Sequence, residues 1–455
     1  MNNLIQTLKN IWSIDELRTR ILYTLGLLAA YRFATYVVLP GIVPSVLAAA
    51  NQSKSGASLF GLVNAFSGGA FDNASIMALG IMPYISASIV IQLLGFAVPY
   101  FQRLQKREGE SGQRLLNQYT RWLTVVIALV QSFPYMKYIL STPNVLNTEI
   151  TNLTMFYGVG ALVITSGTIF AMWLGERITE KGLGNGTSLL IMSGIMSRLP
   201  AALATELEIR GGGSGGGLIA FVLELAFLVV VVAITILLVQ GVRRIPIQYA
   251  KRMVGRNETQ GQVNFSGATD NIPIKVNASG VMPIIFAQAL MFIPSFIAPL
   301  ISSDLGGSLA NFSKFTSPTY NIVYFILIVV FTYVYTALLV NPNQYSEFLK
   351  RSNAFIPGVQ PGEETSNFID AVTARITLPG AIGLGLVAIL PAIVAAFGVD
   401  QNFALFFGGS SLIILVGVVL DTILQIDGHL KMRRYDSLVR TGKVGRETTA
   451  DVEAE

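Results

Sequence analysis

Residues 217–240 read GLIAFVLELAFLVVVVAITILLVQ, with Glu224 as the one charged side chain. A helix needs about 20 apolar residues to cross ~30 Å of hydrocarbon, so this stretch is long enough to span a bilayer. On either side of it, comparable runs fall near 21–40, 75–98, 122–141, 153–174, 187–205, 280–301, 320–340, 376–397 and 404–424, which makes ten in all. Composition agrees: 52% of the 455 residues are apolar and 13% are charged, too little polarity to clothe a chain of this size in water. No soluble domain of any size fits between the runs. The predicted fold class is an all-α polytopic membrane protein.

Orientation follows from the basic residues. With a cytoplasmic N-terminus, 25 of the 31 Lys and Arg lie on the cytoplasmic side; Lys54, Lys137, Arg198, Arg210 and Lys314 lie opposite, and Arg32 falls within a span. That bias is the positive-inside pattern, and it places both termini in the cytoplasm. The apolar run after Lys9, Arg18 and Arg20 is too long for the core of a signal peptide, and further spans follow it.

The absence of cysteine excludes disulfides and thiolate metal sites, and the single histidine, His429, sits in a polar tail. Ser-His-Asp hydrolysis and zinc chemistry are therefore poor readings, and no metal or cofactor is expected. The glycine-rich GLGNGTS (182–188) lacks the Lys that a phosphate loop places before Ser or Thr. Besides Lys137 and Arg198, assigned above to the far side, the ionisable residues within spans are Arg32, Glu224 and Asp421, and the two carboxylates lie near span ends, where reaching the interface is the simpler role. Ion-coupled transporters carry intramembrane carboxylates or histidines to bind their ion, so this nearly uncharged set favours a pore over a pump. Gln92, Gln131 and Gln288 also fall inside spans, where hydrogen bonding between helices is the common use of such residues. Pro83, Pro283, Gly380, Gly383 and Gly385 suit close helix packing or kinks.

Three segments do not read as spans. SLFGLVNAFSGGAF (58–71) is apolar but too short to cross; it is a re-entrant half-helix or an interfacial loop helix. Broken backbone at membrane depth survives only inside protein or along a watery cavity, so the first option points to an interior passage. The loop after residue 240 is about forty residues long and carries Arg243, Arg244, Lys251, Arg252 and Arg256 in and after RRIPIQYAKR, where Ile247 and Tyr249 add apolar surface. Topogenic charge needs no such protrusion; docking of RNA phosphates or of an acidic protein explains it better. A second long loop, 341–375, holds Lys350, Arg351 and the turn-forming FIPGVQPGEET around Gln360. Two protruding loops on one face point to one large partner. GGGSGGG (211–217) is a flexible connector, natural or engineered, and the polar stretch from Thr441 is expected to be disordered.

Five blocks in register resemble the SecY family, the large channel subunits of the Sec protein-translocation machinery. They are GIMPYISASIVIQLL (80–94), EGESGQRLLNQYTR (108–121), WLGERITEKGLGNGTSLLI (173–191), IPIKVNASGVMPIIFA (272–287) and GGSSLIILVGVVLDT (408–422). The resemblance implies an hourglass of two pseudo-symmetric five-helix halves around a central pore: a cytoplasmic segment 1–20, an N-terminal half 21–205, an external connector 206–216, a C-terminal half 217–424 with cytoplasmic loops 241–279 and 341–375, and a cytoplasmic tail 425–455. It implies an aliphatic pore ring at Ile81, Ile85, Ile191, Ile285 and Ile414, with Thr187 at a sixth position. Ile81 and Ile85 are four apart, so one helix face presents both. Such a gasket excludes water and ions by dewetting and offers a passing peptide no fixed polar site.

The resemblance also makes the segment near 58–73 a plug, with Phe60, Leu62, Asn64, Phe66, Ser67, Gly68 and Gly69 as its residues. It implies a lateral gate, with Gln92, Gln131 and Gln288 as polar candidates, through which signal sequences and new membrane helices reach the lipid. Implied partners are the small subunits SecE and SecG, the ATPase SecA, the ribosome with its nascent chain, and SecDF and YidC. Signal peptides and unfolded preproteins are the cargo. Three departures stand out: Thr187 replaces an aliphatic, Gln360 replaces a basic residue in PGVQPG, and Asn257 leaves Arg256 without an adjacent arginine. Either the gasket is weaker at Thr187 or the position faces away. A secondary transporter and a membrane scaffold remain the competing classes; the first lacks coupling-ion ligands, and the second leaves the plug-like segment without a purpose.

Overall fold

The computed structural model describes residues 12, 14–44, 46–47, 64, 67–106, 109–140, 142, 145–146, 152–211, 217–249, 269–297 and 316–450. Helices are α1 Asp15–Ala34, α2 Met82–Ala97, α3 Pro99–Lys106, α4 Gly109–Leu140, α5 Leu153–Lys181, α6 Gly186–Gly211, α7 Gly217–Gln240, α8 Met282–Ile297, α9 Pro318–Leu339, α10 Pro342–Arg351, α11 Glu363–Ala396, α12 Gln401–Ala404 and α13 Gly409–Ala450. Among the described residues seven helices are long and apolar enough to cross a membrane, and the stretches Met82–Gly95 and Met282–Met291 are shorter apolar helices. The architecture is that of a polytopic helical membrane protein, and the count of ten spans is not reached by length and composition alone. Only 11% of the apolar window of α7 is buried among the described residues, against 50% for that of α13, so α7 is the span least covered by the rest of the described chain.

The chain forms two compact units, Met1–Ala204 with Ile414–Glu455, and Thr205–Ile413. Each has the same internal packing order. In the first, α2 packs on α4, α4 on α5, and α5 on α1; in the second, α8 packs on α9, α9 on α11, and α11 on α7. The repeat extends to single residues. A methyl group on Gly167 of α5 would sit 2.1 Å from the Ile76 carbonyl oxygen, and one on Gly380 of α11 would sit 2.7 Å from that of Val276. In both units a bare helix surface is what lets the turn before the short apolar helix approach.

Two expectations need correction. Pro83 and Pro283 do not kink helices; each stands in the first turn of its helix, α2 and α8, where proline's missing N–H costs nothing. Over 441–450, where a disordered tail is expected, the chain continues α13 to Ala450: no proline interrupts it, and an Asp427–Lys431 pair at 2.7 Å supports the turn where it leaves the apolar segment.

The fold is also not purely helical. The two long loops meet in one antiparallel sheet of order β2-β1-β3, formed by β1 Val242–Tyr249, β2 Thr269–Lys275 and β3 Ala354–Phe355. β1 and β2 pair from Val242↔Lys275 to Gln248↔Thr269, and β3 adds Gln248↔Phe355 and Tyr249↔Ala354. Ile245, Ile247 and Ile274 project from one sheet face onto Leu349, Ile356 and Ile369. Ile247 is therefore core, not docking surface. The signal was the strict alternation of Arg244, Pro246 and Gln248 with Ile245, Ile247 and Tyr249, a period of two that only a strand needs.

Candidate functional site

The two short apolar helices begin alike. Gly80-Ile81-Met82-Pro83 and Gly280-Val281-Met282-Pro283 each place a left-handed glycine, φ 54° and 63°, just ahead of the helix. The glycine turns the chain, and the proline fixes the first helical φ. Ile81 thus occupies the N-cap of α2, and the Ile85 N–H donates to its carbonyl at 3.1 Å, stacking the two isoleucines one turn apart. Ile285 N–H donates in the same way to Val281 at 3.3 Å.

Of the expected ring residues, Ile81, Ile191 and Ile414 are buried, and Ile85, Thr187 and Ile285 are half-buried. Ile81 and Thr187 come together: a methyl group on Gly175 of α5 would lie 3.2 Å from Thr187 Cγ2 and 3.4 Å from Ile81 Cδ1. The Thr187 hydroxyl is turned aside, donating to Asn185 Oδ1 at 2.6 Å. The Thr187 methyl therefore lies toward Gly175 of α5, beside the Ile81 side chain. Ile285 belongs to the second unit, and the other five positions belong to the first.

The GLGNGTS stretch joins α5 to α6, and most of its backbone N–H groups already have acceptors. Leu183 donates to Thr24 Oγ1 at 3.0 Å, Gly184 to Gln425 Oε1 at 2.8 Å, Gly186 to Thr179 Oγ1 at 2.9 Å, and Thr187 to Asn185 Oδ1 at 3.1 Å. The loop is a knot between helices rather than a cradle for phosphate.

Of the expected plug residues, Phe60, Leu62 and Phe66 lie outside the described residues, and Asn64, Ser67, Gly68 and Gly69 open a chain of turns running to Gly80. This run is irregular yet mostly buried, with Gly68, Asp72, Asn73 and Ile76 half-buried, so its backbone needs partners. Ser67 Oγ accepts from Phe71 N–H at 3.2 Å, Gly69 N–H reaches Asn64 O at 3.0 Å, and Ile76 N–H reaches Val37 O at 3.0 Å. Tyr135 of α4 donates its hydroxyl to Phe71 O at 2.7 Å, with the two rings 4.6 Å apart. Asn64 Nδ2 donates to Asp72 Oδ2, which also pairs with Arg198 at 3.0 Å. Arg32 of α1 reaches Gly68 O at 3.3 Å and 3.4 Å.

In the sheet unit, Arg243 and Arg244 are exposed on β1, Lys350 and Arg351 are exposed at the end of α10, and Gln360 is exposed in the turn before α11. Gln360 takes part through its carbonyl, which accepts from Thr365 Oγ1 at 2.7 Å. Tyr249 packs against the sheet core. Lys251, Arg252 and Arg256 lie outside the described residues. Among the span glutamines, Gln92 donates to Ser88 Oγ at 3.2 Å, Gln131 is half-buried, and the buried Nε2 of Gln288 has no hydrogen-bond partner among the described residues.

Sequence reasoning missed one further cluster. Glu224 does not reach the interface: Arg210 bridges it at 2.5 Å and Glu206 at 2.9 Å, and Glu206 is fully buried. Arg210 also donates to Gly398 O at 3.2 Å, and Glu206 Oε2 accepts from Asp400 N–H at 3.0 Å. The cluster ties α6 to α7 across the glycine-rich connector. The available signal was the spacing of Glu206 and Arg210, which puts them one turn apart.

The family description SecY matches residues 75–423. A protein translocase subunit SecY from Streptomyces scabiei is 39% identical over 441 residues, covering 93% of this chain and 97% of the relative. One from Thermus thermophilus is 40% identical over 444 residues, with 96% and 99% covered. Among solved structures, one described as "The structure of a protein conducting channel" superposes with a TM-score of 0.62 at 16% identity over 90% of this chain and 91% of its own. Another, concerned with the plug domain of the SecY protein and the closed state of the translocation channel, gives 0.57 at 16% identity over the same shares. With the helix starts, the buried turn run and the sheet falling where those matches extend, the chain belongs to the SecY family.

Proposed function

We propose that the chain is the central pore-forming subunit of a Sec translocon in a bacterial cytoplasmic membrane. It passes unfolded polypeptides across the bilayer and releases transmembrane segments sideways into lipid. The observation that carries this reading is the match, at 38–40% identity over nearly the whole chain, to proteins named protein translocase subunit SecY. In this reading Ile81, Ile85, Thr187, Ile191, Ile285 and Ile414 form the water-excluding ring, and residues near 58–73 close it as a plug. Gln92, Gln131 and Gln288 contribute polar contacts to the lateral gate.

The chain is a passive conduit, not an enzyme, and an external motor drives it. The exposed Arg243, Arg244, Lys350 and Arg351 receive the ribosome or the SecA ATPase on the cytoplasmic side, where both termini also lie. SecE and SecG brace the helices, with SecDF and YidC as further partners. A photo-crosslinking residue at Ile85 should capture a stalled translocating chain. Capture from the lipid-exposed Ile219 but not from Ile85 overturns the assignment.

A further inference from the structure

Arg32 and Arg198 close on the same short turn from two helices. An arginine in a membrane span is costly and needs a partner, yet Arg32 has found a backbone carbonyl, that of Gly68, at 3.3 Å and 3.4 Å. Gly68 is left-handed, φ 65°, and a methyl group there would sit 2.1 Å from Arg32 Nη1 and 2.9 Å from Gly194 Cα of α6. One turn further along α6, Arg198 reaches Asp72 at 3.0 Å. Asp72 in turn brackets the turn with Asn64, accepting from its amide and donating its own N–H to Asn64 Oδ1 at 3.2 Å.

We propose that Asp72, Arg198 and Arg32 form an electrostatic latch that sets how readily the plug segment leaves its seat. The proposal rests on the plug reading above. Its chemistry suits a reversible closure. The Asp72 and Arg198 side chains are 29% and 30% exposed, so water reaches both and can solvate them when they part. A fully buried pair would leave two uncompensated charges on opening, and a fully exposed one would hold nothing.

Placement adds coupling. Thr187, Ile191, Gly194 and Arg198 succeed one another at intervals of four, three and four, which puts them on one face of α6. The helix face that carries two expected ring residues also holds the latch. A displacement of α6 that widens the ring therefore strains the Asp72 contact, and release of the segment is linked to opening of the ring rather than independent of it.

The test uses the full complex reconstituted in proteoliposomes, with resting ion conductance as the readout. Asp72→Lys and Arg198→Glu should each raise it about fivefold, and the charge-swapped pair Asp72→Arg with Arg198→Asp should return it close to the starting value. Deletion of residues 58–73 is the control. If the deletion raises conductance while neither reversal does, the latch is wrong and the plug reading stands. If the deletion itself changes nothing, the plug reading fails. Because the chain has no cysteine, Asp72→Cys with Arg198→Cys can be bridged specifically by a short bismaleimide. That bridge should stop preprotein transport, an arm that needs no charge reversal to fold; undiminished transport after complete bridging overturns the latch.

Discussion

Gly80 to Ala87 and Gly280 to Ala287 spell nearly the same helix start, GIMPYISA and GVMPIIFA, yet the ground before each differs. A methyl group on Gly80 would meet the Tyr31 hydroxyl at 3.5 Å and Ser67 Cα at 3.8 Å, whereas one on Gly280 would meet nothing within 4 Å among the described residues. In the first unit the turn run is walled in, and its polar atoms are held by Arg32, Tyr135 and Arg198. In the second, the buried Asn277 Nδ2 and Gln288 Nε2 have no partner among the described residues. The same local grammar thus serves a sealed turn in one unit and an under-satisfied one in the other. Local sequence fixes the start of the helix; tertiary contacts decide how firmly the preceding turn is held.

The two units differ most in how their arginines are buried. Arg210→Ala leaves Glu206 and Glu224 facing each other in a buried site and should cost about 3–5 kcal/mol. Arg198→Ala, at a pair that water reaches, should cost about 1 kcal/mol or less. Thermal unfolding of the solubilised complex measures both, and equal losses would mean that the second unit's cluster is as hydrated as the first unit's pair. Next in size are the close approaches. Overpacking by Gly167→Ala and Gly380→Ala should each cost about 1–3 kcal/mol in the same assay, with the larger loss at Gly167, where the carbonyl oxygen is nearer. The reverse order would show that the turn at Ile76 yields more easily than that at Val276.

Gly80→Ala and Gly280→Ala should cost about 1–2 kcal/mol each and nearly the same, since left-handed backbone is the burden at both and neither added methyl clashes. A clear excess at Gly80 would reveal that its walls are tighter than the distances imply. The smallest effect is at Gln288→Leu: removing a buried amide without a partner should be neutral or stabilise by up to about 1 kcal/mol. A loss there would expose a hidden partner and erase the contrast between the units.

Much of the fold was legible because membrane spans announce themselves by length and apolarity. The helix starts were legible as blocks, and the ring positions came with the resemblance. The sheet escaped because alternation over Arg243–Tyr249 was weighed as surface chemistry rather than as a period of two. Glu224 was misplaced because a carboxylate near a span end looks free until its partner fourteen residues away, across a glycine-rich connector, is seen. Asp72 and Arg198 are 126 residues apart, and no periodicity links them. Arg32 was visible as an ion inside a span, but its partner is a carbonyl, which every residue carries and no sequence pattern marks.

The three-stranded sheet has a mechanical consequence. β1 leaves α7 with only Gly241 between them, and β2 runs through six residues into α8, so the hairpin is a stiff strut standing on two membrane helices. Its ladder spans seven facing pairs and resists shear, whereas β3 pairs at two positions and is held by the buried Ala354 within it and Ile356 beyond it. A load applied to the hairpin is borne by α7 and α8 together. The second loop joins that strut through its apolar side chains more than through its backbone, so the sheet carries both loops as one block.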